Sequence, residues 1–463
     1  MPLPEILKPA ISGPGYFALA FGAVVGSGWV VVLGDWLQAA GPGGTALGFI
    51  VGGLTMAVVA VCYGELSARF PTAGGEFLYT RAAFGPRLGF FVAWYLTLYA
   101  IATCAFEAVA FGVLARALVP AVELPVVYGI ASWPVTGDAL ILGVGAAAVI
   151  GSVHLRGAKS AIGLQNIVTY GFIAVIGAVI IIGLLGGQRT NLQPFFPQSS
   201  VKSAAAGVFG IFGMSVFFLN GWQAALHAIE ERRSDTSVSS AVSWMVGGIL
   251  VATLFYVGIV IAASGAAPWR TLTGQEFPAA AAFRFIGGPV LAMVVIATAL
   301  VSLLKTWMAI AWMASRLLVA QARDELLPRT LGHIDPRTGA PRNAILFTTI
   351  STAVGLCAGR AALLPIVNMA AICLALSVVI CLVALVRLRG ANAAGPARAT
   401  LGAALVGALI CGTCMIGAAV LAPLLRSHGG IPLEWLLLVA WGLLGILMWR
   451  YAMQRSRGRV LVS

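Results

Sequence analysis

One glycine-rich interruption constrains this chain more than any other feature. The first apolar run, from Pro14 to Trp36, is long enough to cross a bilayer as a helix, for which about 20 residues suffice. Its centre reads Gly26-Ser27-Gly28, and glycine is a poor residue for holding a straight helix. Backbone groups left unpaired in lipid are costly, so a break is tolerable only where it lines a cavity inside the protein. The freed amides then form a binding site, unless the glycines only let another helix approach closely.

Composition assigns the chain to the membrane proteins. Of its 463 residues 60% are hydrophobic and 9% are charged, whereas soluble domains carry about 25% charged residues. The first apolar run lacks the basic segment and small-residue cleavage site of a signal peptide, so we interpret it as a retained helix. We predict an all-α polytopic membrane protein that needs no cofactor, binds no nucleic acid and has no metal site.

Hydropathy and turn residues predict about twelve transmembrane helices, numbered here span 1 to span 12. Their predicted bounds are 14–36, 43–67, 88–117, 139–154, 162–186, 203–228, 240–265, 287–320, 341–359, 363–387, 400–425 and 432–453. An even number of spans returns both termini to one side of the membrane, called the terminal side below.

The distribution of basic residues predicts the orientation. By these bounds 20 of the 28 Lys and Arg residues lie on the terminal side and 7 on the other, while Lys305 lies within span 8. Lys and Arg are enriched in cytoplasmic loops. We therefore expect both termini to be cytoplasmic, in the plasma membrane or bacterial inner membrane.

Span 6 repeats the interruption of span 1. After Phe217, the pair Asn220-Gly221 is a turn signal inside a membrane helix. Interrupted helices five spans apart are what an inverted repeat with a binding site near the bilayer midplane predicts.

Four segments, in this order, resemble the amino acid–polyamine–organocation (APC) transporter superfamily. Residues 26–28, Gly-Ser-Gly, are similar to its I-G-S-G-I-F signature. Residues 65–76, which contain Glu65-Leu66, Pro71 and Gly74-Gly75, resemble its E-L-x-x-x-x-P-x-x-G-G-x-Y segment, with Phe77 and Tyr79 following. Residues 314–328 are similar to the segment after span 8, and Pro341 opens span 9 as is common in that family.

The resemblance implies a leucine-transporter-like fold. Residues 14–186 would form a first five-helix repeat and residues 203–387 a second, inverted one. Residues 400–453, spans 11 and 12, would be peripheral.

The resemblance also implies a substrate site. The amides of residues 26–28 would bind the carboxylate of an amino acid, and carbonyls near Val24 and around Asn220-Gly221 would bind its ammonium group. Phe217 matches an aromatic residue that often gates the pocket. Two positions depart from the family: Trp29 replaces the usual Ile and would put a bulky ring beside the site, and Gln223 replaces the Glu of many proton-linked members.

Two ionisable residues lie at membrane depth, Glu107 in span 3 and Lys305 in span 8. Such side chains cost at least about 2.5–3.5 kcal/mol, so they are usually functional, and we predict roles in coupling or selectivity. Glu107 could instead be a neutral acid bonded to a neighbouring helix, and Lys305 could form a structural ion pair. In sodium-coupled relatives of this fold a sodium ion lies between spans 1 and 8. We expect Lys305 to take its place, with proton coupling as a further hypothesis.

His227 follows the break in span 6 and precedes Glu230-Glu231-Arg232-Arg233. We interpret this cluster as a solvated loop anchor rather than a proton relay.

These observations favour a secondary transporter that moves an amino acid or related amine and does not depend on sodium. The alternative is an exchanger without net ion coupling. Its partners would be the small-molecule substrate and the lipid bilayer, with the oligomeric state left open. A membrane enzyme is disfavoured because the four His residues (154, 227, 333 and 428) are scattered. A channel is disfavoured because no ring of repeated ligands is present.

Overall fold

The computed structural model describes residues 7–118, 124–130, 133–197, 200–359, 363–389, 396–417 and 432–460. Within these ranges ten helices are long and apolar enough to cross a membrane, which confirms the predicted all-α polytopic membrane protein. Spans 9 and 11 are shorter helices at their predicted positions. The predicted end of span 11, residues 418–425, and His428 lie outside the described residues.

The α-helices run over Gly13–Val24, Gly28–Val31, Leu33–Arg69, Glu76–Phe84, Pro86–Leu118, Gly137–Leu155, Ala158–Gly186, Val201–Phe218, Gln223–His227, Val238–Ala266, Pro278–Arg323, Arg342–Leu356, Leu363–Arg389, Pro396–Ile416 and Leu433–Val460. Single turns of 3-10 helix cover Arg189–Leu192, Ile229–Glu231, Trp269–Leu272 and Arg329–Gly332. Two short antiparallel strands, Val126–Ile130 and Trp133–Thr136, join spans 3 and 4 and were not predicted.

Spans 1 and 6 are both broken, as predicted. Span 1 stops at Val24 and resumes at Gly28. Span 6 stops at Phe218 and resumes at Gln223. In the second break Gly221 has φ +99°, a conformation that side chains other than glycine rarely adopt.

Two long helices each contain a glycine–proline bend. In Leu33–Arg69 the bend is at Gly41, with φ 66°, and Pro42, so span 1 continues to Ala40 before span 2 begins. In Pro278–Arg323 the bend is at Gly288, with φ 63°, so a short helix precedes span 8. The proline after each bend has no backbone N–H and cannot donate a hydrogen bond to the preceding turn. The bend therefore separates two helices.

The broken spans lie among their neighbours in the centre of the molecule. Span 1 packs on spans 5, 7 and 8, and span 2 packs on spans 6 and 7. Span 3 packs on spans 8 and 10. The division into repeats 14–186 and 203–387 stays a prediction, which is supported by the pairing of corresponding members, span 2 with span 7 and span 3 with span 8.

Span 12 is attached to span 3 by a reciprocal tryptophan pair. Trp94 Nε1 donates to the Trp441 carbonyl at 2.8 Å, and Trp441 Nε1 donates to the Trp94 carbonyl at 3.0 Å. The two indoles stack with centroids 4.5 Å apart. Span 12 is therefore peripheral in position but bonded to the core.

The interpretation of the charged cluster after span 6 as a solvated loop anchor is wrong, because its acidic residues pair with arginines of span 8. Glu231 and Arg316 of span 8 form a two-bond pair, at 2.9 and 2.7 Å, with side chains 0% and 2% exposed. Burial raises the pKa of Glu231, against the effect of Arg316.

Glu230 forms a second link between the same elements. It accepts from Arg323 at 2.7 and 2.9 Å and from the amides of Ala73 and Leu7. Burial acts to raise its pKa, but these hydrogen bonds hold it below the usual value. One carboxylate thus joins the N-terminus, the loop after span 2, span 6 and span 8.

The N-terminal segment also pairs with the backbone after span 6. The amides of Ala10 and Ile11 donate to the Glu231 carbonyl at 2.7 and 2.9 Å, and the Arg233 amide donates to the Ile11 carbonyl at 2.9 Å. The start of span 1 and the end of span 6 are therefore joined on the terminal side.

Arg316→Met should lower thermal stability strongly. Removing one partner of a buried ion pair costs about 3–5 kcal/mol because the other charge stays buried. We expect the unfolding midpoint of the purified protein in detergent to fall by several degrees, and Arg316→Met/Glu231→Leu to recover part of the loss. Arg233→Met is the control, because its pair with Asp235 is exposed and such pairs contribute about 0–1 kcal/mol. Equal midpoints for the Arg316 and Arg233 variants would contradict this prediction.

Candidate functional site

The two breaks meet at a cavity of about 490 Å³. A Cβ atom on Gly221 would lie 2.9 Å from the Ala23 carbonyl oxygen, so the two breaks are in direct contact. The cavity is lined by residues of spans 1, 3, 6, 7, 8 and 10. Those that the sequence had singled out are Val24, Gly26, Ser27, Gly28, Glu107, Phe217 and Asn220.

The break in span 1 presents unpaired amides. Among the described residues, the N–H groups of Gly26, Ser27 and Gly28 have no hydrogen-bond acceptor, and pairing resumes where the Val30 amide donates to Ser27 at 3.0 Å. Successive unpaired backbone N–H groups form a concavity that suits an anion. This segment can therefore receive a carboxylate.

The break in span 6 is held by its own side chains. Gln223 Nε2 donates to Asn220 Oδ1 at 2.7 Å, and the Gly221 amide donates to Gln223 Oε1 at 3.1 Å. Asn220 Nδ2 in turn donates to the Val216 carbonyl at 3.3 Å. Gln223 thus holds the backbone of the second break in place.

Aromatic residues form much of the wall. Tyr256 of span 7 donates its hydroxyl to the Val24 carbonyl at 3.4 Å. Phe218 lies over the first break, since a Cβ on Gly28 would be 2.5 Å from its ring. Sequence reasoning missed these residues, together with the cavity residues Tyr99, Thr103 and Phe106. An aromatic residue inside an apolar span carries no sequence signal for facing a cavity rather than lipid or core.

Glu107 projects into the cavity beside the first break. Its carboxyl oxygen Oε1 lies 3.6 Å from where a Cβ on Gly26 would be. Its Oε2 is buried and has no hydrogen-bond partner among the residues that the structure describes. The carboxyl group therefore faces the same segment that presents the unpaired amides.

Lys305 lies behind span 1 and outside the cavity lining. Its side chain is 0% exposed, and its ammonium donates to the Gly22 carbonyl at 3.3 Å and to the Val25 carbonyl. The nitrogen also lies 4.6 Å from the centroid of the Phe172 ring, within cation–π range. The lysine is thus bonded to the carbonyls that the break exposes.

Two hydroxyls of span 8 complete this contact. Ser302 donates to the carbonyls of Val25 and Gly26 at 2.8 and 2.9 Å. Thr306 donates to the Gly22 carbonyl at 2.8 Å. Sequence reasoning found the Lys305-Thr306 pair and missed Ser302, although its place one turn before the lysine was a usable signal.

Trp29 corrects the expectation that a bulky ring stands beside the site. It is fully buried and is not among the cavity residues. Its indole packs against Phe172 of span 5 and Phe255 of span 7, with ring centroids 6.4 and 5.7 Å away. The helix resumes at Gly28, and its phase turns residue 29 away from the cavity.

Known proteins are similar to this chain over most of its length. The family model described as amino acid permease matches residues 11–449. A methylthioribose transporter of Bacillus subtilis is 25% identical over 76% of this chain and 75% of the relative. A branched-chain amino acid permease of Lactococcus lactis is 27% identical, with 71% of each chain covered. An amino-acid permease of Bacillus subtilis is 25% identical over 72% of this chain and 69% of the relative.

Gly26→Ala should weaken amino acid binding without disturbing the fold. The added methyl group has room, with its nearest neighbours at 3.6 and 3.9 Å, but it occupies the place where a carboxylate would meet the amides. Gly28→Val is a poorer test, because a Cβ atom there would lie 2.5 Å from the ring of Phe218. We expect at least a tenfold loss of affinity in a ligand-induced thermal-shift titration.

Gly171→Ala in span 5 is the matched control, since nothing lies within 4 Å of the added methyl group. It should bind as the wild type does. Wild-type affinity in a folded Gly26→Ala protein would exclude this segment as the binding site.

Proposed function

The chain belongs to the amino acid permease family, and from that premise we propose that it is a secondary transporter which moves an amino acid or related amine by alternating access. The observation that carries the proposal is the row of unpaired amides at residues 26–28, which line the cavity. In this proposal the chain acts as a carrier and not as an enzyme.

The substrate carboxylate would bind these amides, and its ammonium group would bind the carbonyls of Val24 and Asn220. Both residues line the cavity. Phe217 lies beside them and would cover the bound substrate.

The cavity supports an outward-facing state. Its lining reaches Leu114, near the end of span 3, and the exposed Glu276 before span 8. Both positions lie away from the terminal side, where the pairs of Glu230 and Glu231 close the molecule. With the basic residues concentrated on the terminal side, the closed side would be cytoplasmic and the membrane the plasma membrane.

Lys305 would act as a built-in substitute for a coupling sodium ion. An ammonium group is a donor to several acceptors at once, and here it contacts carbonyls of span 1 together with Ser302 and Thr306. A fixed cation at this place makes an added sodium ion unnecessary, so transport would be independent of sodium.

Uptake into proteoliposomes tests both the function and this role. Over a panel of amino acids and amines we expect saturable uptake that is unchanged when sodium is replaced by choline. Lys305→Ala should lower uptake at least tenfold, because span 1 loses a buried donor, and Lys159→Ala, an exposed lysine of span 5, should transport normally. Strong sodium dependence of the wild type, or full activity of Lys305→Ala, would refute the role, while no saturable uptake of any panel member would refute the function.

Glu107 would carry a proton together with the substrate. Its carboxyl faces the amides of residues 26–28, and two carboxylates cannot both stay ionised in one buried site. A substrate carboxylate therefore binds best when Glu107 is neutral.

Glu107→Gln keeps the neutral shape and should abolish the dependence of uptake on external pH while preserving substrate exchange. Radiolabelled uptake and counterflow at several external pH values measure the two properties. A variant that responds to external pH as the wild type does, and selects the same substrates, would leave Glu107 a structural role.

A further inference from the structure

A buried polar cluster lies directly beneath the cavity floor. Asn220 lines the cavity, and Trp222, two residues later, is fully buried and packs on Tyr63 with ring centroids 5.1 Å apart. Tyr63 leads into what we call the terminal-side cluster. Its members, all at most 2% exposed, are Tyr63, Ser67, Glu76, Tyr79, His227, Ser377 and Cys381. Such a concentration of polar side chains is unusual in a closed apolar interior.

Glu76 and His227 form the centre of the cluster. His227 Nε2 lies 2.7 Å from Glu76 Oε2, and both side chains are buried. In the described part of the chain neither nitrogen of His227 nor Glu76 Oε1 has a partner in hydrogen-bonding geometry, so the 2.7 Å contact is a close approach and not an aligned hydrogen bond. Buried polar atoms without partners are costly, whereas water entering this region would satisfy them.

Burial of the two groups favours a further, shared proton. A neutral imidazole whose proton lies on Nε2 can face the carboxylate oxygen 2.7 Å away, but the pair then carries one buried negative charge. That charge is expensive in an apolar interior, and one further proton removes it. The closed pair therefore retains its proton, and the hydrated pair can release it.

Most charged residues around the pair are already engaged. The ionisable residues on the elements packed around it include Tyr16, Cys62, Tyr63, Glu65, Arg69, Tyr79, Arg81, Arg87, Tyr99, Glu230, Glu231, Arg316, Arg323, Asp324, Cys381, Arg387 and Arg389. Tyrosine and cysteine are neutral near neutral pH. Ion pairs join Arg81 to Asp324, Arg316 to Glu231, Arg323 to Glu230, and Glu65 to Arg69 and Arg389, while Arg387 lies over the Phe84 ring and Arg87 is exposed.

We propose that the terminal-side cluster is the closed exit of the transport path and that the His227–Glu76 pair is a second proton-binding site, separate from Glu107, which releases its proton to the terminal side when that side opens. The inference rests on the transport function proposed above. In this proposal Trp222 is the residue that separates the cavity from the exit. The proton passes from the pair to water that enters on opening.

The pH on the terminal side determines whether the exit is closed or open. A low pH on the terminal side keeps the pair protonated and favours the closed exit. A high pH draws the proton away and favours the open exit. Exchange should therefore become faster as the internal pH of a proteoliposome rises, provided that the terminal side faces inward.

The test uses the Glu107→Gln protein, in which the first proposed proton site is removed. At fixed external pH, its counterflow rate should rise several-fold as the internal pH is raised from about 6 to about 8. Adding Glu76→Gln should make the rate independent of internal pH, because the pair no longer binds a proton. Adding Glu65→Gln instead, a partly exposed carboxylate of span 2, should leave the rise intact.

His227→Gln/Glu76→Gln, which keeps two hydrogen-bonding amides in place, is the second variant and should also give a flat profile. A wild-type rise in either folded variant would overturn the proposal while transport itself still stands. Absence of counterflow in the wild type would instead refute the transport function.

Cys381 provides an independent readout of the exit. Its thiol is fully buried and belongs to the terminal-side cluster. In a protein that keeps only this cysteine, a membrane-permeant maleimide should react at least ten times faster during substrate exchange than without substrate, with the rate in SDS as the reference for full exposure. Equal protection of Cys381 at rest and during measured exchange would exclude the cluster from the path.

Discussion

The structure depends on how the carbonyl groups at the break in span 1 are satisfied. A helix interrupted at membrane depth exposes carbonyls that neither lipid nor bulk water can bond. Here the carbonyls of Gly22, Val25 and Gly26 accept from Ser302, Lys305 and Thr306 of span 8. Without these donors the break would be unstable, and span 8 is therefore bonded to span 1 along the centre of the molecule.

The carbonyl groups and the amide groups of this break differ in their hydrogen bonding, and this difference produces the site. Its carbonyls at Gly22, Val25 and Gly26 are bonded to donors of span 8, while its amides at residues 26–28 are left unpaired towards the cavity. Span 5 strengthens the bonded side, since Gln165 donates to the carbonyls of Ala18 and Lys305, each at 3.2 Å. An anion entering the cavity therefore meets donors that have no competing acceptor.

Polar groups on the terminal side are arranged by a related rule. Glu231 is buried and Glu230 is partly buried, and Arg316 and Arg323 pair with them, because buried charges require such partners. His227 and Glu76 lie 2.7 Å apart, and in the proposal above a shared proton neutralises them. Closure of the terminal side would then combine ion pairs with one pair that responds to pH.

The sequence by itself determined the membrane class, nearly all span positions and both breaks. Length, hydropathy and glycine content are properties of the chain order, and Glu107 and Lys305 are conspicuous at depth for the same reason. Only the tertiary structure decided which way each side chain points. One residue of rotation turns a helical side chain by about 100°, so Trp29 leaves the site next to Gly28 while Ser302 joins Lys305 one turn away. Burial of the His227–Glu76 pair was equally hidden, because Glu76 and His227 lie in distant segments that meet only when spans 2, 6, 8 and 10 pack together.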